Sequence, residues 1–515
     1  MAKKKSKRKS EKKSEKNSHV HSFQHFENPW IGSAKIEKVN ELRSNPTIVV
    51  QSKKMRLPVW ATQGLHPWQI EKLDQSTGVS VEMDGPKGKV VFVRLWAYDE
   101  PESDMKGLLA ASDYALARNS VGEAMRTFLL SGVESIQVHL HDLNKEQRLG
   151  ALVGAEMSAY RFRSWYEDKP LPSLIFSVGQ GQLSIKDLKE AAHLGSAINL
   201  GRHVVNVPAD TLTPKTFVDL VQRLFKQQSQ MQVEVWDTQK LEQENMGLLL
   251  GVGKGAATGP YMVRLKYRPR GAQKKKLVAF VGKGITFDTG GLNIKPAHGM
   301  RIMKKDMGGS AAVLGLAFWA VHSGLKRNCD FYLALAENAV SRDAMRPSDI
   351  LTSRLGKTVE IHNTDAEGRL AVADVLNVAV TQKGNDEPDT VIDVCTLTGA
   401  IKYGLGSELG GLFANNDALG EKILKGAHQR GDLLWRMPLY QYMRPRMNSV
   451  VADLLNSTDG FGGAVTASLF LQTFVGNKKW AHLDIYAWSD YATGAISEPG
   501  ATGQAIQALS HFLNQ

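Results

Sequence analysis

Short apolar runs alternate with helix-period apolar stripes along most of this chain. Runs at Thr47–Val50, Val79–Val81, Lys89–Trp96 and Val133–Leu140 predict strands, and 3.6-residue patterns over Leu108–Ala117, Gly122–Leu130 and Glu146–Trp165 predict helices. Together they describe an α/β domain that starts near Phe23–Trp30 and closes around Phe176–Gln182. A stripe of Leu188, Ala191, Ala192, Leu194, Ala197 and Leu200 predicts a helix over 184–205, a connector that stops before Asn206-Val207-Pro208. Beyond it, strand runs at Val233–Trp236, Met262–Tyr267, Leu277–Val281, Phe331–Ala336, Thr390–Cys395 and His482–Tyr486 are interleaved with helical patterns such as Ala311–His322 and Leu370–Thr381. That alternation predicts a mixed or parallel sheet flanked by helices. The fold expected is therefore α/β with two domains: a smaller α/β amino-terminal domain over 23–183 and a larger domain over 184–515. In such sheets sites form beyond the carboxyl ends of strands. Lys283, Asp288, Glu337 and Thr396–Gly399 all follow strand runs closely.

Length agrees with this division, since 515 residues exceed one ordinary core. A hydrophobic content of 42% and a charged content of 23% fit a globular protein. Cys329 and Cys395 supply neither a disulfide framework nor a Cys/His zinc pattern, which fits a reducing cytoplasm. No apolar stretch approaches the roughly 18 residues of a membrane span, and no apolar segment follows the basic amino terminus as a secretory signal requires. The net charge of +12 is uneven: residues 1–17 hold nine Lys/Arg and two Glu. Such an apolar-poor segment cannot bury enough surface to fold, so a disordered basic tail is expected over 1–22. The tail suits either weak, non-specific nucleic-acid contact or plain solubilisation. Gly251-Val-Gly253-Lys254-Gly255 lacks the third glycine of a dinucleotide loop and fails the Walker pattern, and no Gly-x-Ser-x-Gly elbow occurs. Nucleotide binding and serine hydrolysis are disfavoured accordingly.

The densest chemistry lies in Asn363-Thr364-Asp365-Ala366-Glu367-Gly368-Arg369-Leu370. Thr364 and Glu367 ahead of an apolar run fit a capping box. Taken singly, Asp306 reads as a cap of the helix over Ala311–His322, Lys295 as a surface residue, and Arg369 as a partner of Asp374 or Glu367. A second cluster, Lys283, Asp288, Lys295 and Asp306, follows strand runs at glycine-rich turns, and caps do not account for the whole set. Asp288, Asp306, Asp365 and Glu367 gathered in one site would repel unless cations compensate. Two divalent ions would balance them, and an oxygen-rich set with few histidines suits Zn, Mn, Mg or Co. Paired ions about 3.5–4 Å apart hold a water, bring its pKa toward ~7 and grip a carbonyl oxygen. A lysine such as Lys283 joins the ligands only as a neutral amine. Lys295 and Arg369 remain as cations for an oxyanion and a bound anion. His139, His141, His298, His322 and His362 read as structural or peripheral.

These residues resemble the leucine aminopeptidase (cytosol aminopeptidase) family. The likeness rests on Val281-Gly-Lys283-Gly-Ile-Thr-Phe-Asp288-Thr-Gly-Gly, Lys295-Pro, Met303-x-x-Asp306-Met-Gly-Gly and the octapeptide Asn363–Leu370. Glu337-Asn, Arg346-Pro-x-Asp349-Ile, Gly356-Lys-Thr-Val-Glu360 and Thr396-Leu-Thr-Gly-Ala400 extend it, and a weaker match runs from Trp480-x-His-Leu-Asp484 to Gly500-Ala-Thr-Gly503. The resemblance implies a two-metal aminopeptidase that releases amino-terminal, leucine-like residues from peptides by attack of metal-bound hydroxide. It implies that Lys283, Asp288, Asp306 and Glu367 bind a readily exchanged metal, and Asp288, Asp365 and Glu367 a tighter one. Lys295 would polarise the scissile carbonyl. Arg369 would hold a bicarbonate general base. Met303, Asn363, Thr396, Leu397 and Gly399 would line the first substrate subsite. A free α-amine on the exchangeable metal would restrict cleavage to chain ends. A cytoplasmic homohexamer of dimerised trimers is implied, with Mn or Zn as metal. Dipeptide or cysteinylglycine hydrolysis on the same site, and an added DNA-binding role, are the rival readings. Tyr486-Ala-Trp-Ser departs from better-known members at the far wall of the side-chain pocket.

Overall fold

The computed structural model describes residues 29–515 except 39–44, 53–58, 77–78, 86–87, 98–110, 130, 163–170, 180–181 and 274–275. The basic tail, the expected start at Phe23 and parts of three predicted helices thus lie outside the described residues. Two compact units are present. One comprises residues up to Asn199 with His428–Gly431 and Asp490–Pro499, the other Leu200–Ala427, Asp432–Ser489 and Gly500–Gln515. The division falls inside the long helix Ile185–Asn206.

The first unit holds β1 (Lys35–Ile36), β2 (Thr47–Gln51), β3 (Ser80–Gly85), β4 (Gly88–Arg94), β5 (Ser135–His141) and β6 (Ser173–Val178) in the order β1-β6-β5-β2-β4-β3. All neighbours are parallel except β3 and β4. The two helices predicted over Leu108–Ala117 and Gly122–Leu130 are one helix, α1 (Asp113–Leu129). Its stripe of Tyr114, Ala117, Val121, Ala124, Met125 and Phe128 is unbroken at helical spacing, so burial carries the helix across the interval. The next helix, α2 (Lys145–Ala159), ends before the predicted Trp165, because Tyr160 turns extended at φ −63°, ψ 132°. It starts as a capping box between Asn144 and Gln147. His139 and His141 are both buried on β5, and His139 Nδ1 lies 2.8 Å from Ser177 Oγ. Burial lowers the His139 pKa to about 4 and also lowers that of His141.

The second unit adds β7 (Met231–Trp236), β8 (Tyr261–Tyr267), β9 (Val278–Asp288), β10 (Cys329–Asn338), β11 (Ile350–Thr352), β12 (Thr358–Glu360), β13 (Thr390–Cys395), β14 (Gly410–Ala414), β15 (Leu434–Arg436), β16 (Leu454–Leu455) and β17 (Lys479–Asp484). Eight form a sheet in the order β15-β14-β17-β13-β9-β10-β8-β7, and β11, β12 and β16 form a small second sheet. The centre of the large sheet, β17-β13-β9-β10, is parallel, whereas β8, β7 and β14 run antiparallel to their inner neighbours. Such a mixed sheet needs helices on both faces. They are α3 (Gly308–Ser323) and α4 (Gly368–Val380), each buried along nearly its whole length. Successive strand residues face opposite sides. Gly282 lies under Ser310 of α3, and Lys283 lies against Gly368 of α4, so the two helices cover opposite faces. A shorter helix, α5 (Gly399–Leu405), follows β13. Among the described residues no helix is long and apolar enough to cross a membrane.

Candidate active site

Four parallel strands end together, and polar residues cluster beyond those ends. The run predicted to stop at Val281 continues as β9 through Lys283 to Asp288, so one strand delivers both side chains. β10 ends at Asn338, β13 leads into Thr396, and β17 ends at Asp484. Asp306 comes from a single-turn helix, Met303–Met307, ahead of α3. It does not cap α3, whose N-cap Met307 has no side-chain cap bond. Its segment approaches the sheet closely at Gly309, where a Cβ would stand 1.9 Å from Val394 O. Only glycine fits that contact.

Lys283 Nζ lies 2.7 Å from Asp306 Oδ2, 2.9 Å from Glu367 Oε1 and 3.0 Å from Thr396 O. A Cβ at position 368 would come within 2.3 Å of Lys283 Cε, which explains the glycine after Glu367. Asp288 pairs with Lys295 Nζ at 2.8 Å and accepts from Asn338 Nδ2 at 2.8 Å. Lys295 also reaches Asp365 Oδ1 at 2.5 Å, with only 15% of its side chain exposed, so it is not a surface residue. Thr396 Oγ1 donates to Asp306 Oδ1 at 2.9 Å.

The octapeptide does not form a capping box. Thr364 Oγ1 donates to Gly290 O at 2.6 Å and accepts from Asn293 N at 2.8 Å, while Glu367 at the N-cap of α4 makes no cap bond. Thr364 therefore ties two loops together, which frees Asp365 and Glu367 to face the lysines. Arg369 Nη1 donates to Asn456 O at 2.8 Å, and its buried Nε has no hydrogen-bond partner. Asp374 is not its partner, since it accepts from the amides of Leu248, Leu249 and Arg354.

Charge and burial compete throughout. Burial disfavours the ammonium of Lys283, but Asp306, Glu367 and Asp288 outweigh it and raise its pKa. Lys295 is raised in the same way by Asp288 and its neighbours. Burial and then Asp288 push Glu367 up to about 8, and the same two causes push Asp365 to about 6. Burial lowers Arg369 to about 10 against the pull of Glu367 and Asp484. Lys305, next to Asp306, is lowered to about 8, mainly by burial.

The donor set suits cations. Ligand oxygens of Asp288, Asp306 and Glu367 lie within 4.8 Å of one another, and all three residues are buried. Glu367 Oε2 has no hydrogen-bond partner. Asp306 Oδ2 and Asp365 Oδ1 touch lysine ammonium groups without hydrogen-bond geometry. Buried oxygens left in this state are costly and call for a compensating ion. A second close group, Asp393, Cys395 and His482, is bonded within itself: His482 Nδ1 lies 2.5 Å from Asp393 Oδ1, and Cys395 Sγ lies 3.3 Å from the same oxygen.

Of the sequence-selected residues, Lys283, Asp288, Lys295, Asp306, Asp365, Glu367 and Thr396 form one contact network. Met303, Leu397 and Gly399 stand on the segments that carry Asp306 and Thr396. Asn363 Oδ1 accepts from Asp365 N at 2.8 Å, shaping the octapeptide turn. Two supports escaped the sequence reading. Asn338 Nδ2 holds both Asp288 Oδ1 and Thr364 O, and its one signal was its place after Glu337 at a strand end. Asn456 bonds Asn363 and Arg369 from a loop far along the chain, with no local signal.

Buried carboxylates and lysines at the carboxyl ends of a mixed α/β sheet are the groups expected of a metal-dependent enzyme. Residues 199–510 match the catalytic domain of the cytosol aminopeptidase family, and the chain belongs to that family. A protein named "Probable cytosol aminopeptidase" from Streptomyces avermitilis is 38% identical over 435 residues, 82% of each chain. Among solved structures, a bottromycin maturation enzyme in complex with Mn superposes with a TM-score of 0.79 at 28% identity, covering 91% of this chain and 99% of the other. The cytosol aminopeptidase of Coxiella burnetii gives 0.76 at 30% identity, covering 93% and 98%. The chain is a metalloaminopeptidase, and peptides are its substrates.

Proposed function

We propose that this enzyme removes the first residue of peptides with a free amino terminus, using two divalent ions, Mn or Zn. The observation that carries the reading is the buried trio Asp288, Asp306 and Glu367, with ligand atoms within 4.8 Å and an unpartnered Glu367 Oε2. Lys283, Asp288, Asp306 and Glu367 would hold the exchangeable ion, and Asp288, Asp365 and Glu367 the tighter one. Mn is supported by its presence in the bottromycin maturation enzyme. Two such ions supply a Lewis acid for the scissile carbonyl and an acidified water.

The chain's own groups do the rest. Lys295 donates to the carbonyl oxygen as charge develops there, the role of an oxyanion-hole donor. Arg369, with Nε unpartnered and Nη1 on Asn456 O, presents donors to a small oxyanion, and bicarbonate as general base fits them. Met303, Asn363, Thr396, Leu397 and Gly399 would line the first subsite. The name of the Streptomyces relative supports a cytoplasmic setting, and a homohexamer is the assembly proposed.

The test is chelation followed by reconstitution. The full-length enzyme should lose hydrolysis of leucyl amide with chelator and regain it with Mn or Zn, and N-acetyl-leucyl amide should not be cleaved. Equal turnover by the metal-stripped enzyme would rule the reading out.

A further inference from the structure

Among the described residues two lysines beside the site have no carboxylate within ion-pair distance, and both lie against one tyrosine. Lys305 Nζ stands 4.5 Å from the Tyr486 ring centroid. Lys402 Nζ stands 4.1 Å from the same centroid and donates to the Tyr486 hydroxyl at 2.6 Å. Among the described residues neither ammonium forms an ion pair with a carboxylate, and Lys305 Nζ makes no hydrogen bond. Lys305 is 4% exposed and Tyr486 9% exposed. A buried ammonium against a ring face, with Asp306 and Asp484 acting on it only from beyond ion-pair distance, is expensive, because a cation–π contact returns less than a direct carboxylate partner would. Such a group fits a site that a ligand anion completes.

The three residues hang from the segments that would form the first subsite. Lys305 is two residues past Met303 in the same single-turn helix. Lys402 is three residues past Gly399 on α5, one turn along the same face. Tyr486 is two residues past Asp484, which accepts from Leu397 N at 2.9 Å and from Thr398 Oγ1 at 2.6 Å. The next residue, Ala487, abuts Gly308 together with Thr396 and takes the left-handed φ of +61°. The Asp484–Ala487 segment is thereby fixed along Thr396–Thr398. Space also opens at Gly399, where a Cβ would meet nothing nearer than the Tyr403 ring at 3.8 Å.

We propose that Lys402, Lys305 and Tyr486 make the far end of the first subsite cationic, so that it accepts an acidic amino-terminal side chain, Glu or Asp, beside leucine-like ones. The proposal rests on the aminopeptidase reading above. A side-chain carboxylate would replace the missing partner of the two ammonium groups, and the Tyr486 hydroxyl, already accepting from Lys402, keeps its own proton to donate.

The experiment compares glutamyl, glutaminyl and leucyl amides, none of which carries a carboxyl-terminal carboxylate, on the Mn-reconstituted full-length enzyme. The expected result is kcat/KM for the glutamyl amide at least about tenfold above that of its glutaminyl isostere. That ratio should fall toward one in Lys402→Met and in Lys305→Met, recover in Lys402→Arg, and shrink in the wild type as ionic strength rises. Because the ratio is taken within each variant, general loss of folding cancels. A wild-type ratio near one with leucyl amide still cleaved would show that the lysines only clamp Tyr486, and would overturn the proposal. So would a ratio retained in both methionine variants. Failure to cleave any of the three amides would instead defeat the aminopeptidase reading.

Discussion

Glu367 shows how a single side chain is set by its surroundings. It is buried beside Asp288, its pKa sits near 8, and Oε2 has no partner. Its folded pKa is above the ordinary carboxyl value. The metal-free protein therefore holds a proton there that the unfolded chain has released, and its stability falls as pH rises from about 4.5 toward 8. A divalent ion must displace that proton and the one on Asp365 near pH 6. Mn affinity should thus climb between pH 6 and 8 by up to about tenfold per unit for each proton released, and keep rising above 8, because Lys283 must also shed its proton before its amine can bind the ion. Calorimetric titration in buffers of different ionisation heat measures both the affinity and the protons. Affinity that is flat over this range would mean that Glu367 is not a ligand. The identities of Lys283, Asp288, Asp306 and Glu367 were legible because charged residues at glycine-rich turns after strands stand out in sequence. Asn338 and Asn456 were not, since a neutral amide acts through its neighbours and carries no spacing of its own.

Elements were legible where an apolar period decided them and misread where a local motif seemed to. The predicted strand runs of the large sheet and the helices over Ala311–His322 and Leu370–Thr381 reappear within a few residues of their predicted places, except that the run ending at Val281 continues to Asp288. The capping box did not form, because Thr364 is worth more as a tie from its own turn to the Gly290–Asn293 loop than as a cap. What anchors α4 instead is Asp374, deep in the helix, whose two oxygens accept three amides from other segments: Leu248, Leu249 and Arg354. Asp374→Asn turns one acceptor into a donor facing a donor. It should cost about 1–3 kcal/mol in denaturant unfolding at pH 5. Burial raises the Asp374 pKa to about 7, so the wild type loses stability as pH rises from about 4 to 7 and the asparagine variant does not. The gap between the two should narrow by pH 8. A gap that widens would mean that the ionised carboxylate is the stable native form.

At the scale of the whole molecule, sequence order and spatial grouping part company. His428–Gly431 and Asp490–Pro499 belong to the first unit although they lie far along the chain. Within that unit Arg118 donates to the carbonyls of Arg430 and Gly431 at 2.9 and 3.1 Å, contacts more than 300 residues apart that no window of sequence reveals. Charge is partitioned as well. Residues 1–17 hold nine Lys/Arg against two Glu, +7 of the total +12, and their only apolar residues are Met1 and Ala2. The metal ligands proposed for peptide cleavage lie between Lys283 and Glu367 in sequence, so the basic segment and the proposed catalytic centre should be separable functions. Deleting residues 1–17 should leave the kcat for leucyl amide, the bound Mn and the size of the oligomer unchanged. If the basic segment binds duplex, the contact is with phosphates, and its logarithmic salt slope is about 0.9 per phosphate neutralised. Five engaged lysines would then cost well over an order of magnitude in affinity between about 50 and 200 mM salt. Fluorescence anisotropy with one unrelated duplex, for full-length and shortened protein, measures that slope. Loss of peptidase activity on shortening would make the segment part of the enzyme. Sequence-dependent duplex binding that survives shortening would move recognition onto the folded units and away from the basic residues.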